Sequence, residues 1–253
     1  MKPARVFGRG PMRLIAVHGW MADHRLFHPL LDHLNASRVT CALIDCRGYG
    51  TRRDEPPPYT IKAISEDVLA AAEHLGWDRF HVLGHSMGGM AAQRLVVDAP
   101  ARLLSAILVA PVPASGASVD RPRRELLLRA VTDASARRAL IRANTPAART
   151  DRWVEALLNL SLESTTAALE PYIAAWSDTD FATELKGSDV PVLAICGELD
   201  PAVPPDLVRR TIQVWCANAS LHVIPGAGHY LMCEEPGELA RLLLHLSICV
   251  HPR

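Results

Sequence analysis

Long apolar runs, a net charge and paired cysteines are all missing from this sequence of 253 residues. No window reaches the roughly 18 apolar residues of a membrane-spanning helix, and the apolar run near the N-terminus is too short for a signal peptide. We therefore expect no membrane partner and a cytoplasmic location. Basic and acidic residues both number 27, so the formal charge is zero and nothing favours a nucleic acid as partner.

The six cysteines show no CxxC pair and no His/Cys spacing that suits zinc. Cys41 and Cys196 lie inside apolar runs, where a cysteine behaves as a small core residue. We predict that all six are free thiols in a reducing compartment, and that the protein uses neither a metal nor a cofactor.

Short β-rich runs alternate with helical patterns along most of the chain. Most of the runs are apolar throughout, which is typical of parallel strands covered by helices on both faces. The pattern predicts an α/β fold with a doubly wound sheet. The predicted strands are Arg13–Val17, Val39–Asp45, Phe80–Leu83, Ser105–Ala110, Val190–Cys196 and Leu221–Ile224.

This alternation stops between about Ser115 and Lys186, where several helical patterns but no convincing strand occur. The strand pattern resumes at Val190. We predict a helical cap at residues 115–186, inserted into an α/β core made of residues 1–114 and 187–253.

The strongest chemical signal is Gly84-His85-Ser86-Met87-Gly88, which follows an apolar run and opens a helical pattern. This is the context that a GxSxG nucleophile turn needs. The glycines on either side avoid clashes in a sharp turn, and the new helix supplies N–H groups beside the serine. Five-residue patterns also arise by chance, so the motif needs further support.

A serine hydroxyl needs a base, and the base needs an acid that orients it. His229 follows a predicted strand in a glycine-rich loop, and Asp200 follows another, so both lie where parallel strands end at one sheet edge. Each taken alone could be an ordinary loop residue. The order serine, aspartate, histidine fits the hydrolase arrangement. Glu198 is an alternative acid.

Acyl transfer also needs donors aimed at the developing oxyanion. We predict that these are the backbone N–H groups of Met87, directly after the nucleophile, and of Trp20, in the loop after His18-Gly19. His18 itself is expected to hold this loop in place.

Five motifs in order resemble those of the α/β-hydrolase family. The resemblance implies an eight-stranded, mostly parallel sheet with a helical cap over the site, and structural roles for Asp45 and Arg47. Within the family, the sequence of these motifs looks most like that of esterases and enol-lactonases. The motifs are His18-Gly19-Trp20, Asp45-Cys46-Arg47-Gly48-Tyr49-Gly50, Gly84-His85-Ser86-Met87-Gly88-Gly89, Gly197-Glu198-Leu199-Asp200 and Gly228-His229.

The resemblance also narrows the reaction. Ser86 argues against epoxide hydrolases and haloalkane dehalogenases, which use aspartate as nucleophile, and Tyr230 replaces the lysine of plant hydroxynitrile lyases. We predict a serine hydrolase that cleaves a small carboxylic ester or lactone through an acyl-enzyme. A carbon–carbon bond hydrolase, a cofactor-free perhydrolase and a ligand receptor that retains the triad remain alternatives.

The predicted cap adds two weaker hints. Its first part has nine arginines against four acids. A basic cap could attract an anionic ester or lactone, but we favour the simpler interpretation that these arginines line solvated helix faces. Four apolar side chains are candidates for an acyl pocket or for packing between helices: Trp153, Leu157, Tyr172 and Trp176. Neither the substrate nor the oligomeric state follows from the sequence.

Overall fold

A computed structural model describes residues 1–249 as seven strands in one sheet, in the order β1-β3-β2-β4-β5-β6-β7. All neighbouring strands are parallel except β1, which is antiparallel to β3. The strands are β1 (Arg5–Gly8), β2 (Met12–Val17), β3 (Val39–Ile44), β4 (Phe80–His85), β5 (Leu103–Val109), β6 (Val192–Gly197) and β7 (Ala219–Ile224).

The six apolar runs form β2 to β7, with ends shifted by a few residues, and the predicted mostly parallel sheet is confirmed. The side chains of β2 to β6 are mostly buried because helices cover the sheet, whereas those of β7 are mostly half-buried. The expected number of eight strands is wrong, since the sheet has seven. Only β1 was missed by the pattern, because it is a short edge strand with exposed and half-buried side chains.

Eleven α-helices occur in residues 1–249. They are α1 (His28–Leu31), α2 (Ile61–His74), α3 (Met87–Asp98), α4 (Arg121–Ala130), α5 (Ala134–Ala143), α6 (Asp151–Ser161), α7 (Thr166–Ser177), α8 (Pro205–Arg210), α9 (Ile212–Trp215), α10 (Leu231–Glu234) and α11 (Pro236–Cys249). Helix α2 begins at Ile61, because the Thr60 side chain accepts a hydrogen bond from the Ala63 N–H.

Helices α4 to α7 lie between β5 and β6, and no strand of the described chain interrupts them. The residues that flank α7 contact the rest of the protein: the Thr165 N–H donates to the Gly48 carbonyl, and the Phe181 N–H donates to the Ala114 carbonyl. The division into core and cap stays a prediction, and residues 250–253 of the predicted core lie outside the described residues.

None of the helices within residues 1–249 has the length and apolar character that a membrane span requires. Five cysteines are free thiols, of which only Cys233 is partly exposed. Burial raises the pKa of the Cys41 and Cys196 thiols to about 12, which keeps them protonated and unreactive. The side chain of Cys249 lies outside what the structure describes.

Candidate active site

Ser86 lies between the end of β4 and the start of α3, in a backbone conformation that non-glycine residues rarely adopt, with φ of 52° and ψ of −113°. A Cβ atom at Gly84 would lie 2.1 Å from the Gly88 carbonyl oxygen, and one at Gly88 would lie 2.5 Å from the Val17 carbonyl oxygen. Only glycine therefore fits on either side of this turn, and the strain is typical of a functional position.

His229 and Asp200 are brought together from loops that follow β7 and β6. The Nδ1 atom of His229 lies 2.8 Å from Oδ2 of Asp200, and both side chains are buried. Because a carboxylate only accepts hydrogen bonds, Nδ1 carries the proton of this contact, which leaves Nε2 as the ring nitrogen that can accept one.

The environment of Asp200 keeps its carboxylate charged. Burial raises its pKa, but the charge and hydrogen bond of His229 and the N–H groups of Val203 and Ala202 outweigh burial, so the pKa of Asp200 is lowered. The two N–H groups donate to Oδ1, at 3.0 Å and 2.8 Å. Both carboxylate oxygens are thus fully engaged.

Glu198, the alternative acid, lies elsewhere. Its Oε2 accepts a hydrogen bond of 2.9 Å from the Gly226 N–H in an exposed part of the loop after β7. The carboxylate that reaches His229 is that of Asp200.

Ser86 and His229 line one cavity of about 590 Å³ between the sheet edge and helices α4, α5 and α7. This volume suits a small organic ligand. Within residues 1–249 the two side chains form no hydrogen bond with each other. Such contacts are often long before substrate binds.

The predicted oxyanion donors also belong to this region. Trp20 lines the cavity, and Met87 is the first residue of α3, where the N–H has no partner inside the helix. A Cβ at Gly19 would lie 3.0 Å from Cβ of Ser86, so glycine allows the two loops to approach.

His18 holds the Trp20 loop as expected. Its Nδ1 donates to the Gly19 carbonyl oxygen at 2.8 Å, and its Nε2 accepts a hydrogen bond of 3.0 Å from the Cys46 N–H. Burial lowers the pKa of His18 despite the nearby Asp45 charge. The ring is therefore neutral and occupied on both sides, which leaves it no free nitrogen for chemistry.

The family model described as "alpha/beta hydrolase fold" matches residues 13–236. The chain belongs to the α/β-hydrolase fold family.

Individual relatives of this hydrolase are distant but match it over almost their whole length. It is 27% identical to a pimeloyl-[acyl-carrier protein] methyl ester esterase of Aeromonas hydrophila, over 94% of this chain and 96% of that protein. A hydrolase from Pseudomonas aeruginosa is 26% identical with a TM-score of 0.84, covering 96% and 92% of the two chains. The enol-lactonase from Burkholderia xenovorans is 22% identical with a TM-score of 0.83, over 96% and 95%, and shows the fold alone.

The four predicted pocket side chains of this hydrolase are not gathered in one place. Trp176 lines the cavity that holds Ser86. Trp153 and Leu157 line a different depression. Tyr172 has no exposed surface and packs between the rings of Tyr49 and Tyr59. Tyr172 and Trp176 lie four residues apart, on one face of α7 and one turn from each other. Tyr172 therefore packs in the interior, and Trp176 reaches the cavity.

Glu234 was missed by sequence reasoning. Its buried carboxylate accepts hydrogen bonds from the N–H groups of Gly228, at 2.5 Å, and of Tyr230, at 2.9 Å. These N–H groups flank His229, so Glu234 fixes the backbone that carries the histidine. Burial raises the pKa of Glu234 against the opposing effect of these N–H donors. No motif known from the sequence alone distinguishes this acid from other helical glutamates.

His85 secures the same loop from the other side. Its Nε2 donates to the His229 carbonyl oxygen at 3.0 Å, while the His229 N–H donates to the Asn144 carbonyl at 3.1 Å. Burial, followed by the repulsion of His229, lowers the pKa of His85 well below its usual value. His85 therefore stays neutral.

One group of described residues has the ligand types of a metal site: Asp23, His24 and Asp45. Asp23 is held by the guanidinium of Arg25 through both of its oxygens. Asp45 accepts hydrogen bonds from the backbone and hydroxyl of Thr51 and from His24. These contacts show that the three residues stabilise the turn after β3, which is the structural role expected of Asp45.

Proposed function

We propose that this hydrolase cleaves a small carboxylic ester or lactone through an acyl-enzyme, with Ser86 as nucleophile, His229 as base and Asp200 as the orienting acid. The hydrogen bond from Nδ1 of His229 to Asp200, beside a cavity that contains Ser86, is the observation that carries the proposal. The curated relative named as a methyl ester esterase supports an ester as the bond that is cleaved.

The reaction proceeds in two halves. Oγ of Ser86 attacks the ester carbonyl carbon while Nε2 of His229 takes its proton, and the N–H groups of Met87 and Trp20 stabilise the oxyanion. The tetrahedral intermediate collapses, the C–O bond to the alcohol breaks, and His229 returns the proton to the leaving oxygen. Water then attacks the acyl-enzyme by the same route and releases the acid and Ser86.

The test compares Ser86→Ala with Ser118→Ala, because Ser118 also lines the cavity but has no proposed role. Both variants are assayed on p-nitrophenyl esters of increasing chain length and on a set of lactones. We expect Ser86→Ala to lose on the order of 10⁶ in kcat while its circular dichroism spectrum is unchanged, and Ser118→Ala to remain active.

Residual activity of more than a few per cent in folded Ser86→Ala would show that Ser86 is not the nucleophile. The wild-type time course separates an enzyme from a receptor that retains the triad. Many turnovers per chain indicate an enzyme, whereas one slow turnover with retained ligand indicates a receptor.

A further inference from the structure

The nine arginines between Asp120 and Arg152 are almost all engaged with protein groups. Six form ion pairs: Arg121 with Glu125, Arg124 with Asp178, Arg129 with Asp133, Arg138 with Glu155, Arg142 with Asp151 and Arg149 with Glu235. Arg137 donates to three backbone carbonyl oxygens. Only Arg123 and Arg152 are left without such partners in the described part of the chain.

Arg123 differs from Arg152 by its position. It is half-buried and lines the cavity that contains Ser86, whereas Arg152 is exposed and lies outside the cavity. The only side-chain contact of the Arg123 guanidinium within residues 1–249 is a weak one, from Nη2 to Oδ1 of Asn144 at 3.5 Å. A neutral amide at this distance leaves the positive charge unbalanced.

The guanidinium lies near residues that adjoin His229, namely Asn144 and Tyr230. The backbone oxygen of its neighbour Asn144 accepts the His229 N–H, and the charge of Arg123 opposes the burial that raises the pKa of Tyr230. The other charged or titratable groups that line the cavity are Asp120, His85, His229 and Tyr230. Asp120 is exposed and caps α4 by accepting the backbone N–H of Arg123 at 2.8 Å, without an ion pair to its guanidinium.

Arg123 is a cation that has no acidic partner and is half-buried beside the proposed catalytic cavity. It is therefore suited to bind an anionic group of the substrate. The planar guanidinium binds a carboxylate through two parallel hydrogen bonds. We propose that Arg123 selects esters that carry a second, ionised carboxyl group, such as monoesters of dicarboxylic acids. This inference rests on the proposed ester hydrolysis at Ser86.

The experiment measures kcat/KM for monomethyl esters of the dicarboxylic acids from succinate to azelate, and for the corresponding dimethyl esters, which lack the charge. The proteins are the wild type, Arg123→Gln, Arg123→Lys and the control Arg121→Gln. The control removes the same charge from the same helix, at an exposed residue paired with Glu125.

The wild type is expected to prefer the best monoester over its dimethyl ester. In Arg123→Gln this preference falls by about 10- to 100-fold, which corresponds to the loss of one charge-assisted hydrogen bond. The loss is expected mainly as a higher KM for the monoesters. Arg123→Lys keeps part of the preference, and Arg121→Gln keeps all of it. Raised salt weakens the preference of the wild type.

An equal preference in the wild type and Arg123→Gln would overturn the proposal, as would an equal loss on both ester types. If dimethyl esters are cleaved in a Ser86-dependent manner and monoesters are not preferred over them, the proposed selection by Arg123 is wrong but the proposed ester hydrolysis stands. If no ester is cleaved at all, the proposed function and this inference fail together.

Discussion

Replacing Asp200 by asparagine tests the proposed acid because the structure defines how the new amide would be oriented. Oδ1 of Asp200 accepts the N–H groups of Ala202 and Val203. An asparagine keeps its amide oxygen on these two donors and turns its NH2 group toward Nδ1 of His229. Nδ1 must then accept, so the proton moves to Nε2, which can no longer take the proton of Ser86.

The opposite amide orientation would restore the tautomer but would point NH2 at two backbone donors. Each unpaired buried N–H costs about 1–3 kcal/mol, so this orientation is rarely populated. We expect Asp200→Asn to lose about 10⁴-fold in kcat near neutral pH, as in other triads, which corresponds to about 5.4 kcal/mol in the activation barrier.

Glu198→Gln is the matched control, because it makes the same chemical change two residues away. Its amide oxygen can still accept the Gly226 N–H, and exposed substitutions usually alter stability by under ~0.5 kcal/mol. We expect a loss of under about tenfold in kcat.

The assay is kcat on a p-nitrophenyl ester, with the melting temperature of each variant measured in parallel. If Glu198→Gln were inactive and Asp200→Asn active, the assignment of the acid would be refuted, while the serine and histidine assignments would stand.

Two further predictions concern metals and the loop of His229. Ester hydrolysis should survive EDTA, because the proposed mechanism needs only the triad and backbone donors; loss of activity that a divalent ion restores would contradict this and would implicate Asp23, His24 and Asp45. Glu234→Gln must turn an NH2 group toward the N–H of Gly228 or Tyr230, and this displacement of His229 should lower kcat by about 10- to 100-fold with little change in KM. Glu235→Gln is its control, and a similar loss there, or a loss carried by KM, would argue against the positioning role.

The turn at Ser86 and most of the sheet could be predicted from the sequence because they depend on local patterns. Gly84 and Gly88 are required by the backbone of the turn itself, which the structure shows as close approaches of 2.1 Å and 2.5 Å for added Cβ atoms. Continuous apolar runs predicted the buried strands for a similar local reason. A strand that is covered on both faces needs an apolar residue at nearly every position of the run. Strand β1 lacks that signal, because it has only four residues and none of its side chains is fully buried.

Contacts between side chains distant in the chain were decided only by the tertiary structure. The sequence proposed both Asp200 and Glu198 as acids, and the path of the loop after β6 brought Asp200 to His229. The pairing of the nine arginines between Asp120 and Arg152, which leaves Arg123 lining the cavity without an acidic partner, depends on how α4, α5 and α6 pack against their neighbours. Periodicity assigns a residue to a helix face, but the partner opposite that face comes from another part of the chain, and the sequence pattern does not specify it.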